Sequence, residues 1–191
     1  MKKTLLTLLT AGSIFALSTN IYAADYIIDT KGAHASINFK IMHAGFSWLT
    51  GRFNSFDGNF SYDKDNIEAA NIKVNIDTSS IDSNHAKRDK HLRSDDFLEV
   101  DKYPVASFVS KKIIDKGDGK IDIMGDLTLH GVTRSITIDA KRIAEGDRKG
   151  KYLAGFAGTT ELVLKDFNIK RSLGPASTSV YMDLHIEGIR Q

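Results

Sequence analysis

The sequence of 191 residues contains no cysteine and only two prolines. The absence of cysteine excludes disulfides, thiol nucleophiles and zinc sites with thiolate ligands. Pro104 and Pro175 both fall at breaks between predicted strands, where a missing amide donor does not weaken a sheet. Because the chain is long enough to bury a sizeable core, we expect it to be stable without covalent cross-links.

A strong net charge is also missing. The sequence has 26 Lys and Arg residues against 24 Asp and Glu residues, and Lys2 and Lys3 account for the excess. The basic cluster of Lys87, Arg88, Lys90 and Arg93 is interleaved with carboxylates, which is typical of a solvated surface. We therefore expect no nucleic-acid partner, because binding nucleic acid needs a basic stripe with aromatic side chains.

Long hydrophobic runs are absent except near the start of the chain. Met1-Lys2-Lys3 precedes an uncharged stretch at residues 5–17, and the small residue Ala23 follows. This order predicts a signal peptide over residues 1–23, cleaved after Ala23, and one exported domain over residues 24–191. A membrane anchor is the alternative, but a spanning helix needs about 20 apolar residues, so we expect a protein that is not membrane-integral.

Apolar residues recur at every second position through most of the exported domain. Residues 37–41, 72–76 and 180–186 give clear examples. Such alternation is typical of antiparallel strands with one apolar face and one solvated face. Leu129-His130-Gly131-Val132 and residues 115–119 predict tight hairpins, whereas residues 145–150 predict a longer polar loop. The pattern indicates an all-β sandwich or barrel of about eight strands.

One charged stretch, NHAKRDKHLRSDDF at residues 84–97, departs from this alternation. Residues 82–84 offer an N-cap, and His85, Asp89 and Leu92 would lie on one side of a helix. Ser94 predicts the N-cap of a second short helix. We expect one or two short helices that cover an end of the sheet structure.

Chemical motifs are weak throughout the chain. His85, Asp89 and His91 are candidate metal ligands, but no further ligand stands at a fixed spacing. There is no GxSxG sequence, and residues 150–158 contain glycines without the order of a phosphate-binding loop. The sequence therefore predicts no metal site, no catalytic residues and no cofactor, although a triad assembled in space stays open.

Aromatic residues are concentrated between positions 39 and 62, with Gly45, Gly51 and Gly58 among them. An eight-stranded barrel is close to the size at which the interior is either filled by side chains or encloses one ligand. Glycines beside large rings suit both possibilities. The residues alone leave the choice between a filled core and a cavity open.

Five segments together resemble the YceI-like family of exported polyisoprenoid-binding proteins. They are HASINFKIMHAGFSWLTGRF at 34–53, NHAKRDKHLRSDDF at 84–97, KYPVASF at 102–108, GDLTLHGVTRSI at 125–136 and LKDFNIKRSLGPAS at 164–177. None of them is chemically specific alone, and their order and spacing carry the resemblance. It extends over the whole exported part of the chain.

The resemblance implies a lipocalin-like antiparallel eight-stranded barrel in the periplasm, with a hydrophobic tunnel for an isoprenoid lipid such as a quinone tail or a polyprenyl phosphate. Roles in isoprenoid transport, storage or stress response follow from the same resemblance. The tunnel lining would then include Phe39, Ile41, Phe46, Trp48, Phe53, Phe97, Phe108, Leu127 and Leu129. The residues that would meet a headgroup at the mouth are His43, His85, Arg88, His91 and Arg93.

Two other classes of protein compete with this interpretation. An outer-membrane barrel would share the signal peptide and the alternation, but it needs aromatic girdles and an uncharged outer face, which the sequence lacks. A periplasmic hydrolase or isomerase that acts on a lipid or a small amphiphile is the alternative function. A homodimer is compatible with the sequence, which does not fix the oligomeric state.

Overall fold

The computed structural model describes residues 23–191. The predicted signal peptide, apart from Ala23, lies outside the described residues. The strands are β1 Ala24–Ile28, β2 Ser36–His43, β3 Ser47–Phe53, β4 Phe56–Tyr62, β5 Asn71–Asp77, β6 Ile81–Asp82, β7 Val105–Gly117, β8 Lys120–Leu129, β9 Val132–Arg148, β10 Lys151–Val163 and β11 Ser179–Arg190. One helix, α1, spans Ala86–Leu92, and single 3₁₀ turns occupy Ile67–Ala69, Thr78–Ser80 and Leu164–Phe167.

The strands form a closed antiparallel barrel. Its order is β1-β4-β5-β7-β8-β9-β10-β11, and β11 pairs again with β1. The remaining strands extend this circle: β2 follows β1 along one edge of β11, β3 pairs with β2, and β6 pairs with β3. β1 with β2, β3 with β4, and β5 with β6 each form one long, interrupted strand. Together with β7 to β11 they make eight long strands, and each pairs with the next one in the sequence. The expected all-β, eight-stranded, lipocalin-like architecture is confirmed.

Two of the three loop predictions, both of tight hairpins, are confirmed. His130 and Gly131 join β8 to β9 with φ angles of 50° and 71°, and residues 118–119 join β7 to β8 in the same way. The prediction of a longer polar loop at 145–150 is wrong. Strand β9 continues to Arg148, and only Lys149 and Gly150 turn the chain into β10. Asp147 and Arg148 are exposed residues of the strand itself, so their polar character indicated a loop.

Side chains alternate between the barrel interior and the outer surface as predicted. Buried residues such as Ile37, Phe39, Phe108 and Leu127 point inward, and charged neighbours point outward. Gly51 lies opposite Phe39 in the β2–β3 pair, and a methyl group at Gly51 would overlap the Phe39 ring. The glycine in this strand therefore makes room for an aromatic side chain of the lining.

The connections separate the barrel into two different ends. The lid end carries the β2–β3 and β8–β9 turns and two longer connections. We call residues 83–104 the lid segment and residues 168–178 the rim loop. The floor end carries the β4–β5 connection and the β7–β8 and β9–β10 hairpins. Among the described residues, no helix has the length and apolar character needed to cross a membrane.

Candidate functional site

The barrel encloses a cavity of about 560 Å³ whose lining is almost entirely apolar. Every long strand contributes to it through its inward face. The predicted tunnel residues that line the cavity are Phe39, Ile41, Phe53, Phe97, Phe108, Leu127 and Leu129. The interior is therefore not filled by its own side chains, which was the question that the sequence left open.

Phe46 and Trp48 lie outside this cavity, so their predicted place in the lining is corrected. Phe46 is 91% exposed at the tip of the β2–β3 hairpin. Trp48 pairs with Met42 on the outward face, and its ring meets Tyr181 edge-on at 5.6 Å. The sequence missed Leu49, which lines the cavity. Strand alternation identifies it, because Leu49 has the same parity as Phe53 and Trp48 has the opposite parity.

The mouth of the cavity is at the lid end. The residues that both line the cavity and are exposed all belong to that end, and they are His43, Ala44, His91, Arg171, Ser172 and Leu173. Lining residues near the floor end are buried or half-buried. A ligand would therefore enter between the β2–β3 turn, the lid segment and the rim loop.

Helix α1 in the lid segment is anchored by Ser83, at the end of β6. Asp89 Oδ1 accepts from the backbone N–H of Ser83 at 2.8 Å and also from the Ser83 hydroxyl. Arg88 donates from Nε to the same hydroxyl at 2.7 Å and from Nη2 to the Ser83 carbonyl. Burial raises the pKa of Asp89, but the hydrogen bonds from Ser83 outweigh it and hold the pKa below its usual value.

The structure differs from the predicted caps of the lid segment. The N-cap of α1 is His85, whose Nδ1 accepts from the backbone N–H of Arg88, and not a residue of 82–84. No second helix begins at Ser94, because the backbone N–H groups of Leu98 and Val100 donate back to Leu92 and Arg93. These turns press Leu92, Phe97 and Leu98 over the cavity, which all three of them line.

Two of the predicted headgroup residues face away from the mouth lining. Arg93 donates from Nε to the Ser79 carbonyl at 2.6 Å and from Nη2 to the Ile81 carbonyl at 2.7 Å. Its guanidinium therefore ties the lid segment to the barrel wall. His85 is exposed and serves as the helix cap. Neither residue lines the cavity, and the prediction for both is corrected.

Basic side chains nevertheless surround the mouth. The predicted residues His43, Arg88 and His91 line it, and Arg171 of the rim loop joins them. Asp96 lies between two of these groups, with His91 Nε2 at 2.7 Å and Arg171 Nη1 at 3.6 Å. The hydrogen bond with His91, aided by Arg171, lowers the pKa of Asp96. Sequence reasoning missed Arg171, since its loop has no periodicity to place it.

The candidate metal ligands of the lid segment do not converge. Asp89 is committed to Ser83, and His91 to Asp96. Within residues 23–191, the group with metal-ligand spacing is Asp29, His34 and Glu187, on the outer wall where β1 meets β11. There His34 Nδ1 lies 2.8 Å from Asp29 and 3.5 Å from Glu187, which is the geometry of a surface ion pair.

The floor end is closed by side chains that meet across the barrel. Phe156 of β10 packs edge-on against Phe60 and Tyr62 of β4, although β10 and β4 are not neighbouring strands. Arg142 of β9 donates from Nη1 to the Tyr62 hydroxyl at 3.2 Å, and β9 lies opposite β4 in the barrel. Burial raises the pKa of Tyr62 to about 12. The cavity is thus a blind tunnel that opens at the lid end.

A family model for the YceI-like domain matches residues 26–188. The chain belongs to the YceI-like family. A UPF0312 protein of Shewanella denitrificans is 56% identical over the full length of both chains. Another UPF0312 protein, from Vibrio vulnificus, is 58% identical over 88% of this chain and 89% of its own length. The resemblance drawn from the five sequence segments is confirmed.

Solved structures of other proteins have the same fold. BcnA of Burkholderia cenocepacia superposes with a TM-score of 0.75 at 20% identity, covering 84% of this chain and 98% of its own. A YceI protein of Campylobacter jejuni gives a TM-score of 0.71 at 27% identity, covering 79% and 90%. A polyisoprenoid-binding domain from Saccharophagus degradans gives a TM-score of 0.66 at 18% identity, covering 88% and 99%.

Proposed function

We propose that this YceI-like chain is a periplasmic carrier that holds one isoprenoid lipid, a polyprenyl phosphate or a quinone tail, in its barrel. The observation that carries the proposal is the blind apolar tunnel of about 560 Å³. Burial stabilises a hydrocarbon chain by about 0.8 kcal/mol for each methylene, so such a tunnel needs no special chemistry to bind one tightly. In this proposal the carrier serves isoprenoid transport, isoprenoid storage or a stress response.

The arrangement of polar groups supports a lipid with one polar end. Basic side chains concentrate at the mouth, where His43, His91 and Arg171 are exposed. The opposite end is closed by aromatic rings, with the Tyr62 hydroxyl held by Arg142. A chain would therefore enter tail first and leave its headgroup beside Arg171, whose planar guanidinium suits a phosphate. The polyisoprenoid-binding domain of Saccharophagus degradans, which shares this fold, favours the same ligand class.

A carrier accounts for the cavity better than an enzyme does. Ser177, a buried hydroxyl in the lining, donates to the Met42 carbonyl and so is committed to structure. His91 with Asp96 is the pair that an acid–base mechanism would use, but it stands at the mouth and not beside the buried chain. We therefore propose binding without catalysis.

Replacement of Leu127 by arginine tests the proposal. Leu127 is 6% exposed and lines the cavity, so a guanidinium there would place an unpaired charge against a bound chain. We expect Leu127→Arg to lose bound lipid, measured by native mass spectrometry of protein purified from the periplasm and by lipid extraction. Ile143→Arg is the matched control, because Ile143 is 64% exposed on the outer face, and it should retain the lipid.

Phe53→Arg provides a second variant for the case in which Leu127→Arg fails to fold. Phe53 is half-buried, so its replacement disturbs the core less. His91→Ala should only weaken retention, because it removes one polar contact at the mouth. Folded Phe53→Arg protein that keeps a full complement of lipid would contradict the carrier. Complete loss of function in folded His91→Ala would instead support the periplasmic enzyme.

A further inference from the structure

The β2–β3 hairpin ends in an exposed aromatic ring that no packing accounts for. Phe46 is 91% exposed, although the turn beneath it is well defined. Ala44 and Gly45 have φ angles of 50° and 83°, and the Phe46 N–H donates to the His43 carbonyl at 2.9 Å. An ordered turn thus presents a phenyl ring to solvent. Removing such a ring from water is worth roughly 1.5–3 kcal/mol.

Two further apolar side chains lie on the segments that frame the same side of the mouth. Trp48 is 48% exposed on the hairpin, and Leu173 is 40% exposed on the rim loop. The Ser177 hydroxyl donates to the Met42 carbonyl and so joins the rim loop to the hairpin. We call Phe46, Trp48 and Leu173 the rim patch. Leu173 also lines the cavity, so the rim patch is continuous with the tunnel.

The hairpin and the rim loop carry charge of one sign, although Asp96 of the lid segment lies 3.6 Å from Arg171. Residues 40–47 and 168–177, which form the hairpin and most of the rim loop, include Lys40, Lys170 and Arg171 but no aspartate or glutamate. Lys40 Nζ lies 5.0 Å from the centre of the Trp48 ring. The local charge contrasts with the near-neutral balance of the chain as a whole. Cations beside a tryptophan and other apolar side chains are the combination that binds the interface of an anionic bilayer.

We propose that the rim patch docks the protein on the surface of a bilayer containing anionic lipids. Phe46 and Trp48 enter the interface, and Lys40, Lys170 and Arg171 contact the headgroups. This orientation turns the mouth of the tunnel toward the membrane. An isoprenoid chain can then pass between bilayer and barrel without crossing water, which would expose its apolar surface. That last step rests on the proposed carrier function, whereas docking itself does not.

Flotation with vesicles of phosphatidylethanolamine and phosphatidylglycerol tests the docking surface. We expect the purified protein to float with these vesicles, and Phe46→Asp to bind about tenfold more weakly or worse, because a carboxylate replaces the inserted ring. Ile143→Asp is the matched control, since Ile143 is 64% exposed on β9 away from the mouth, and it should bind like the wild type. The wild type should bind vesicles that contain phosphatidylglycerol more strongly than vesicles of phosphatidylcholine alone. The double variant Lys170→Gln, Arg171→Gln should show a smaller difference between the two kinds of vesicle.

The docking proposal and the carrier proposal can fail separately. If the wild type retains lipid but does not bind vesicles, or if Phe46→Asp and the wild type bind them equally, docking is overturned. If the wild type binds vesicles through Phe46 but neither retains nor accepts geranylgeranyl phosphate, docking stands and the carrier fails. Sedimentation velocity is measured in parallel. The wild type could instead be a dimer that does not bind vesicles and that Phe46→Asp dissociates into monomers. That result would make the rim patch an interface between two copies and overturn the proposal.

Discussion

Gly131 is a residue at which a single methyl group should matter for two reasons. It stands in the β8–β9 turn with a φ of 71°, and a Cβ there would overlap the ring of Tyr103 in the lid segment. Gly131→Ala therefore combines backbone strain with a steric clash. We expect it to lower the free energy of unfolding by about 2–4 kcal/mol, measured by urea denaturation.

Gly150 provides a matched control for this substitution. It occupies the same position in the β9–β10 turn with a φ of 79°, but no atom lies within 4 Å of a Cβ built there. Gly150→Ala should cost about 1 kcal/mol, since only the left-handed backbone is penalised. Equal losses for the two variants would mean that the Tyr103 ring moves away from the added methyl group at no cost in stability, which would contradict the predicted clash.

Single residues also show which parts of the cavity lining could be predicted from the sequence and which could not. Alternation with period two placed Phe39 and Phe53 correctly in the cavity lining, and the same parity would have excluded Trp48 and found Leu49. Arg171 could not be found in this way. It reaches the mouth because the rim loop folds back over the barrel, and nothing local in the sequence specifies that path.

The lid segment is the element whose attachment can be tested most directly. Arg93 makes two charge-assisted hydrogen bonds to the carbonyl groups of Ser79 and Ile81. Arg93→Met removes both donors and leaves two acceptors without partners. We expect the local opening free energy of the lid segment to fall by about 2 kcal/mol, observed as faster amide hydrogen exchange over residues 83–104.

The control for Arg93→Met is Lys90→Met, which removes a charge from an exposed position of α1. Its lid segment should exchange at the wild-type rate. Exchange of the strand amides of β8 and β9 should be the same in both variants, because the barrel wall does not depend on Arg93. Acceleration spread over the whole barrel would contradict a local role for this side chain.

The number of long strands could be predicted from the sequence, but the positions at which they are interrupted could not. The hydrophobic pattern predicts about eight strands, and the barrel has eight long ones built from eleven segments. The interruptions are short, such as the 3₁₀ turn Thr78–Ser80 between β5 and β6. They arise where the chain must change direction as the sheet closes on itself. Alternation reports which face is buried but carries no information on that curvature.

At the scale of the whole molecule, the barrel closes where β11 pairs with β1 and β2, and the part of this seam that β1 forms is short. Strands β1 and β11 pair only through Tyr26–Arg190, Ile27–Ile189 and Ile28–Gly188. Next to these pairs, the Asp29 N–H donates to the Glu187 carbonyl at 2.8 Å, and the Asp29 carboxylate contacts His34 and the Gly32 N–H. Polar contacts around Asp29 therefore add to the strand pairing that closes the barrel.

The Asp29 carboxyl at the seam makes the free energy of unfolding depend on pH. The hydrogen bond with His34, followed by that from Gly32, lowers the pKa of Asp29 from its ordinary value of 3.8. A carboxyl with a lower pKa in the folded state stabilises that state above its ordinary pKa and loses this contribution as pH falls through the folded value. We expect the free energy of unfolding to decrease below about pH 4, and to decrease less steeply in Asp29→Asn.

Asp147→Asn removes the same charge from an exposed position on β9 and serves as the control for the acid titration. Unfolding by urea is followed by circular dichroism at a series of acidic pH values for the wild type and both variants. Asp29→Asn should keep part of the acid sensitivity, because the pKa values of Asp82, Asp89 and Asp96 are lowered as well. If Asp29→Asn and the wild type lose stability in parallel, the Asp29 contacts do not stabilise the seam, and closure rests on the pairing of β11 with β1 and β2.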